Sequence, residues 1–251
     1  MLTILSPAKK LLNIDTPYEG TSTTPLFSDK TKQLAKIMKS KSVEEIASLM
    51  DLSKDLAELN YTRYQSFASA DSYPALYLFQ GDVYQGLQSK SWAPDTVAYS
   101  QSHLRILSGL YGLLHPLDCI QPYRLEMGVR LENPAGKNLY VFWQESITRT
   151  LNQELETQRN PVLINLASTE YFKAVDEKKL NYPVVTINFY EKKNGALKMI
   201  GIHAKKARGV MAKFLMEHQI DDLEQLKKFD ELGYQYHEAT SSEKHFDFVR
   251  G

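Results

Sequence analysis

Pro183-Val-Val-Thr-Ile-Asn-Phe-Tyr190 leads through Glu191-Lys-Lys193 to Asn194-Gly195, and from there to His203-Ala-Lys-Lys-Ala-Arg-Gly209. The opening run is β-branched and apolar, which predicts a strand. Asn-Gly is the preferred pair for a two-residue hairpin, because a type I′ turn needs positive φ at both central positions. The return strand is expected over Met199 to His203. From Ala204 to His218 the period becomes helical and basic, with Val210, Met211, Phe214 and Leu215 on the inner face. Strand, hairpin and helix in direct succession predict an α+β chain with a mixed sheet and surrounding helices.

The same signals extend outward. Leu2 to Leu5, closed by Ser6-Pro7, reads as a first strand, and Pro161 to Leu166 as another. Residues 13–28, with Asn13, Asp15, Pro17, Gly20 and Pro25, form a long polar loop. Helices are expected from Asp29, from Ser42 (where Ser-Val-Glu-Glu45 is a capping box) and near Ser53, with Leu56 and Leu59 inward. Pro74 to Phe79 reads as a buried strand running into a glycine-punctuated turn, Gln80 to Gly86. Asp95 to Leu107 reads as a helix ending at Ser108-Gly109, and Leu139 to Leu155 as a helix with Phe142, Ile147, Leu151 and Leu155 inward. A short acidic helix follows over Asp221 to Phe229. Phe246 and Phe248 alternate with polar residues, as in a final edge strand. No repeat or linker divides the chain, so residues 1–251 are expected to form a single α+β domain.

Thirty basic residues balance thirty acidic ones, which excludes a uniformly basic nucleic-acid coat. The balance is uneven along the chain. Residues 191–213 hold seven basic side chains against Glu191 alone, and residues 214–251 hold four against nine acidic ones. Such segregation fits an anionic partner, or a basic face paired with the protein's own acidic end. One cysteine, Cys119, excludes an intramolecular disulfide and a cysteine-based zinc site. No apolar run has the length of a membrane span, and the first residues lack the pattern of a signal peptide, so a soluble cytoplasmic protein without membrane association is expected.

Several stretches carry candidate chemistry. Lys205, Lys206 and Arg208 gather where a strand hands over to a helix, a place suited to phosphate. Lys9 follows the first strand, at the kind of edge where α/β sheets hold ligands. Asp82, beside Gly81 and Tyr84, serves either as a general base or as a cap. Arg124 and Glu126 form either a structural ion pair or a phosphate grip with a placed carboxylate. Leu107-Ser-Gly-Leu-Tyr-Gly112 reads either as a helix C-cap at Gly109 or as a tight helical hairpin presenting amides to phosphate. Ser168 lacks the Gly-x-Ser-x-Gly elbow, and His-Glu-x-x-His is absent, so neither a hydrolase triad nor a metal site is expected.

Taken together and in order, six of these stretches resemble the bacterial peroxide-stress protein YaaA family. They are Ser6-Pro-Ala-Lys9, Gly81-Asp-Val-Tyr84, Leu107 to Gly112, Gln121-Pro-Tyr-Arg-Leu-Glu-Met-Gly128, Asn165-Leu-Ala-Ser168 and Ala204-Lys-Lys-Ala-Arg-Gly209. Lys10 departs from the family's usual threonine after Ser-Pro-Ala-Lys. The resemblance implies a cytosolic protein that protects against hydrogen peroxide by limiting unincorporated iron, without a cofactor. It also implies a family-specific fold that binds DNA through a positively charged cleft and a helix-hairpin-helix-like element. Carried over, the element falls on Ser108, Gly109, Leu110, Tyr111 and Gly112, and the cleft on Lys9, Arg105, Arg124, Lys205, Lys206 and Arg208. The alternative is an enzyme acting on a nucleotide or phosphorylated small molecule, using Lys9, Asp82, Tyr84 and Glu126. Direct iron storage is the weakest reading, since the candidate ligands are dispersed in sequence.

Overall fold

β1 (Leu2–Leu5) is buried at every position, as suits an apolar run with no polar alternation. The computed structural model describes residues 1–16 and 18–251, so Pro17 of the predicted loop lies outside the described residues. A short β2 (Lys10–Leu11) precedes that loop. α1 (Ser28–Lys39) buries Leu34 and Met38. α2 (Val43–Met50) starts on the expected capping box: the Glu45 amide donates to Ser42 Oγ at 3.2 Å and the Ser42 amide to Glu45 Oε2 at 2.7 Å. α3 (Lys54–Gln65) is rotated from its predicted face. It buries Ala57, Asn60 and Tyr64 and leaves Leu56 and Leu59 exposed. The ring of Tyr64 competes for the core, and its hydroxyl donates to the Arg124 carbonyl at 3.0 Å.

Residues 73–80 are β3 (Tyr73–Pro74), a helical turn α4 (Ala75–Leu78) and β4 (Phe79–Gln80), rather than one strand. The run is buried as expected, but continuous burial does not distinguish strand from helix. The expected turn at Gly81 to Gly86 contains a helix, α5 (Asp82–Leu87).

α6 (Pro94–His103) stops before the predicted end, and the chain continues as β5 (Leu104–Ser108). Parallel pairing explains the change: Leu104 lies opposite Thr3 and Ile106 opposite Leu5. The next strand, β6 (Gly112–Leu114), folds back antiparallel, with Ser108 opposite Gly112. Ser108 to Gly112 is therefore the turn of a β-hairpin and not a helix-hairpin-helix element. Ser108, Leu110 and Tyr111 are buried, and Ser108 Oγ accepts the Tyr111 amide at 2.9 Å. The Tyr111 amide is thus turned into the protein rather than presented at the surface.

β7 (Cys119–Ile120) pairs with β3. α7 (Leu139–Glu156) buries the four predicted residues, and β8 (Leu163–Asn165) follows it. α8 (Thr169–Phe172) is capped by Ser168. β9 (Val184–Lys193) turns through Asn194 and Gly195, at φ 52° and 77°, into β10 (Ala196–Lys198). The return strand thus lies three residues before its predicted position, and α9 (Gly201–Glu217) begins correspondingly early. The chain ends with α10 (Leu223–Leu226), β11 (Gln235–Tyr236) and β12 (His245–Arg250).

The main sheet has the order β11-β12-β9-β8-β1-β5-β6, with β10 beside β9. β12, β9, β8, β1 and β5 are parallel, and β6, β10 and β11 are antiparallel. The mixed α+β architecture follows the expectation, although β12 is internal and β11 forms the edge. No helix among the described residues is long and apolar enough to cross a membrane.

α5 and α9 cross with their backbones in contact. A Cβ on Gly209 would lie 1.8 Å from the Val83 carbonyl oxygen, and one on Gly86 would lie 2.2 Å from that of Lys206. Only glycine allows this approach. The contact sets the start of α5 against the second and third turns of α9.

Candidate functional site

Parallel sheets hold ligands beyond the carboxyl ends of their strands. Ser6 to Lys10 leave the end of β1 there, and Leu166 to Ser168 leave the end of β8. The two segments are tied together: the Ser168 amide donates to Ser6 Oγ at 2.9 Å, and Ser6 Oγ donates to Ser168 Oγ at 3.3 Å. With Gln80 to Val83, Tyr123 to Glu126 and the inner face of α9, they line a cleft of about 450 Å³. Its charged residues are Lys9, Lys10, Arg124, Lys205 and Arg208 against Asp82, Glu126 and Glu170.

Two kinds of charge meet in this cleft. Glu126 Oε1 accepts Arg124 Nε at 3.1 Å and its terminal nitrogen at 3.0 Å, and lies 3.2 Å from Lys9 Nζ. Arg208 has no such partner. It forms no ion pair among the described residues, its Nε is buried without a hydrogen bond, and burial pushes its pKa below the usual range. Glu126 Oε2 is also buried without a partner. Lys205 is exposed on the same side of α9.

The other walls are held by satisfied contacts. Tyr123 shares a 2.6 Å hydrogen bond with Ser108 Oγ, and burial raises its pKa well above the ordinary phenol value, so it remains a neutral phenol. Glu170 accepts the Gly128 amide at 3.0 Å. A Cβ on Gly109 would lie 2.2 Å from the Leu125 carbonyl oxygen, so this glycine lets the Arg124–Glu126 segment lie against the hairpin.

Six predicted residues therefore come together: Lys9, Asp82, Arg124, Glu126, Lys205 and Arg208. The others do not join them. Arg105 is buried beside α7, with Nε 2.8 Å from Glu154 and a terminal nitrogen donating to the Gln101 and Leu104 carbonyls. A sequence pattern cannot distinguish an arginine inside a sheet from one in a cleft. Ser108, Gly109 and Gly112 stand behind the cleft wall as hairpin residues. Tyr84 lines a separate cavity of about 420 Å³ whose only charged side chain is Lys90. Its hydroxyl donates to the Ser6 carbonyl at 3.1 Å, and burial raises its pKa. Lys206 lines a different depression, with Lys213 and Glu217. Glu170 and Tyr171 join the lining without having been expected. They follow Ser168, and only the contact between β1 and β8 brings them to Lys9.

Residues 1–240 match the family model described as peroxide stress protein YaaA. The chain belongs to the peroxide stress protein YaaA family. A UPF0246 protein of Legionella pneumophila is 65% identical over 255 residues, covering 100% of this chain and 99% of its own length. UPF0246 proteins of Bordetella petrii and Alteromonas mediterranea are each 48% identical over 255 residues. They cover 100% of this chain and 99% and 98% of their own lengths. In this YaaA-family chain the six motifs divide into two sets: five contribute to the cleft, while Leu107 to Gly112 supports it from behind. Asn165 fixes the turn after β8 by accepting the Ala167 amide at 3.0 Å.

The segregated charge also has a structural description. Glu191, the one acid of the basic segment, pairs with Arg250 at 2.7 Å and with His203. The acidic end takes other partners: Asp221 meets the amino terminus and Glu224 meets Lys227. Among the described residues, Lys192, Lys198, Lys205 and Lys206 form no ion pair. No three His, Cys, Asp or Glu residues among those described gather as a group able to hold a metal ion.

Proposed function

We propose that this protein protects against hydrogen peroxide by limiting unincorporated iron, and that its working site is the cleft, which engages the phosphates of DNA. Family membership supports the oxidative-stress role. Less ferrous iron means fewer hydroxyl radicals formed from peroxide, and therefore less damage to DNA. Arg208 supports the anionic partner. A half-buried guanidinium whose Nε is shut off from both water and any carboxylate is unfavourable, and an anion entering the cleft would compensate it. Lys9 and Lys205 at the mouth add charge that steers an anion inward.

The test is binding of labelled DNA between 50 and 200 mM salt. Phosphate contacts make the logarithm of affinity fall linearly with the logarithm of salt, with a slope near −0.9 per contact on duplex. Arg208→Gln should weaken binding and lower the slope by about one. Unchanged affinity and slope would exclude the cleft as the interface. In cells, the same variant should fail to lower chelatable ferrous iron under peroxide.

The cleft's volume favours a second reading, an enzyme acting on a nucleotide or phosphorylated small molecule. Small-molecule sites measure roughly 300–1,000 Å³. Asp82 would supply the acid–base group, beside the cationic clamps. Asp82→Asn should then abolish protection while leaving DNA affinity nearly intact. Equal loss of both would count against catalysis.

A further inference from the structure

We propose that the cleft recognises a single nucleoside phosphate, with the phosphate at Arg208 and Lys205 and an amino group of the base at Glu126. The inference rests on reading the cleft as an anion site and adds the identity of the group that fills it. Four buried side-chain atoms among the described residues lack a hydrogen-bond partner, and two of them belong to residues of this cavity. Their demands are opposite: Arg208 Nε is a donor and Glu126 Oε2 an acceptor.

A bare phosphate meets only one of these demands. It would pair with Arg208 but would be repelled by Asp82, Glu126 and Glu170 in the same lining. A ligand carrying both an anion and an N–H donor meets both. Arg124 and Lys9 already hold the other oxygen of Glu126, so the carboxylate is oriented before any ligand arrives. Acidic side chains accept hydrogen bonds from the exocyclic amines of nucleobases, a contact worth a several-fold to hundredfold preference. The cavity volume suits one nucleotide. The nucleotide is either free or an unpaired residue of a DNA strand, and the chemistry is the same for both.

Calorimetric titration of the full chain tests this with ribose 5-phosphate, AMP, GMP, CMP and a short single-stranded oligonucleotide. At least one nucleotide should bind about tenfold or more tightly than ribose 5-phosphate. Glu126→Met, which removes the acceptor, should erase that preference while ribose 5-phosphate binds as well or better. Glu126→Gln, which keeps one acceptor oxygen, should retain part of it. Tighter binding of the oligonucleotide would identify a DNA strand as the source, and tighter binding of the mononucleotide a free metabolite. If ribose 5-phosphate binds the wild-type protein as tightly as every nucleotide, the inference fails and the anion site stands. If no phosphate compound binds, the anion site fails too.

Discussion

Two of this molecule's arginine–glutamate clusters stand under opposite conditions. Arg105, in β5, is 4% exposed and compensated: Glu154 accepts its Nε, two carbonyls accept one terminal nitrogen, and Glu154 also lies 3.3 Å from His115 Nε2. Asp118 completes that cluster, accepting Thr23 Oγ1 at 2.6 Å and the His115 amide at 2.8 Å. Around the cleft, Arg124 and Lys9 share Glu126, and Arg208 is left without a carboxylate. A closed network ties elements together and has nothing to offer a ligand. An open one keeps unmatched polar atoms at a cavity wall, at some cost in stability.

The largest expected effect comes from opening the closed cluster. Glu154→Leu leaves Arg105 buried and uncompensated, so unfolding in urea should show a loss of about 3–5 kcal/mol. Ligand binding by the folded fraction should be unchanged. A loss below about 1 kcal/mol would mean the network is not closed.

Arg208→Gln should act in the reverse sense. It removes a half-buried charge that no protein carboxylate balances, so the melting temperature should hold or rise while phosphate affinity falls tenfold or more. A marked drop in stability would make Arg208 a structural residue like Arg105.

The clusters should also differ in their response to pH. Burial opposes the charging of His115, but Asp118 and Glu154 outweigh it and the pKa is raised. His115 therefore contributes stability that is fully present below its unfolded value near 6.5 and is lost as pH rises through the folded value. Burial raises the pKa of Glu154, but His115 and Arg105 outweigh it and lower it. Its contribution is present above its ordinary range and is lost on acidification. His115→Gln should remove the decline on the alkaline side in a plot of stability against pH. An unaltered profile would separate His115 from the network.

Lys9→Ala should have the smallest effect on stability. Lys9 is 67% exposed on its side chain, and such pairs contribute about 0–1 kcal/mol. Equilibrium unfolding near wild type, with a weaker phosphate response, would place Lys9 at the mouth rather than in the framework.

Local chemistry was legible from sequence alone. The capping box at Ser42, the Asn194-Gly195 turn, β1 and the buried face of α7 all depend on neighbours within a few residues. Features that depend on distant partners were not. β5 read as helix because its pairing with β1 lies about a hundred residues away. Arg105 and Ser108 to Gly112 entered the site through the family resemblance, and reading β5 as helix hid the hairpin of strands that they form. Lys9, Asp82, Arg124, Glu126, Lys205 and Arg208 were recognisable as cations and carboxylates at element ends. That Arg124 and Lys9 share the carboxylate of Glu126 while Arg208 has none depends on packing, as does the entry of Glu170.

The most direct test follows the melting temperature of the wild-type protein and of Arg208→Gln as ribose 5-phosphate is added. A ligand that binds only the native state stabilises it by RT ln(1 + [L]/Kd). The wild-type midpoint should climb with ligand concentration and that of Arg208→Gln should stay flat. Parallel rises in the two proteins, or no rise in either, would contradict an anion site built around Arg208.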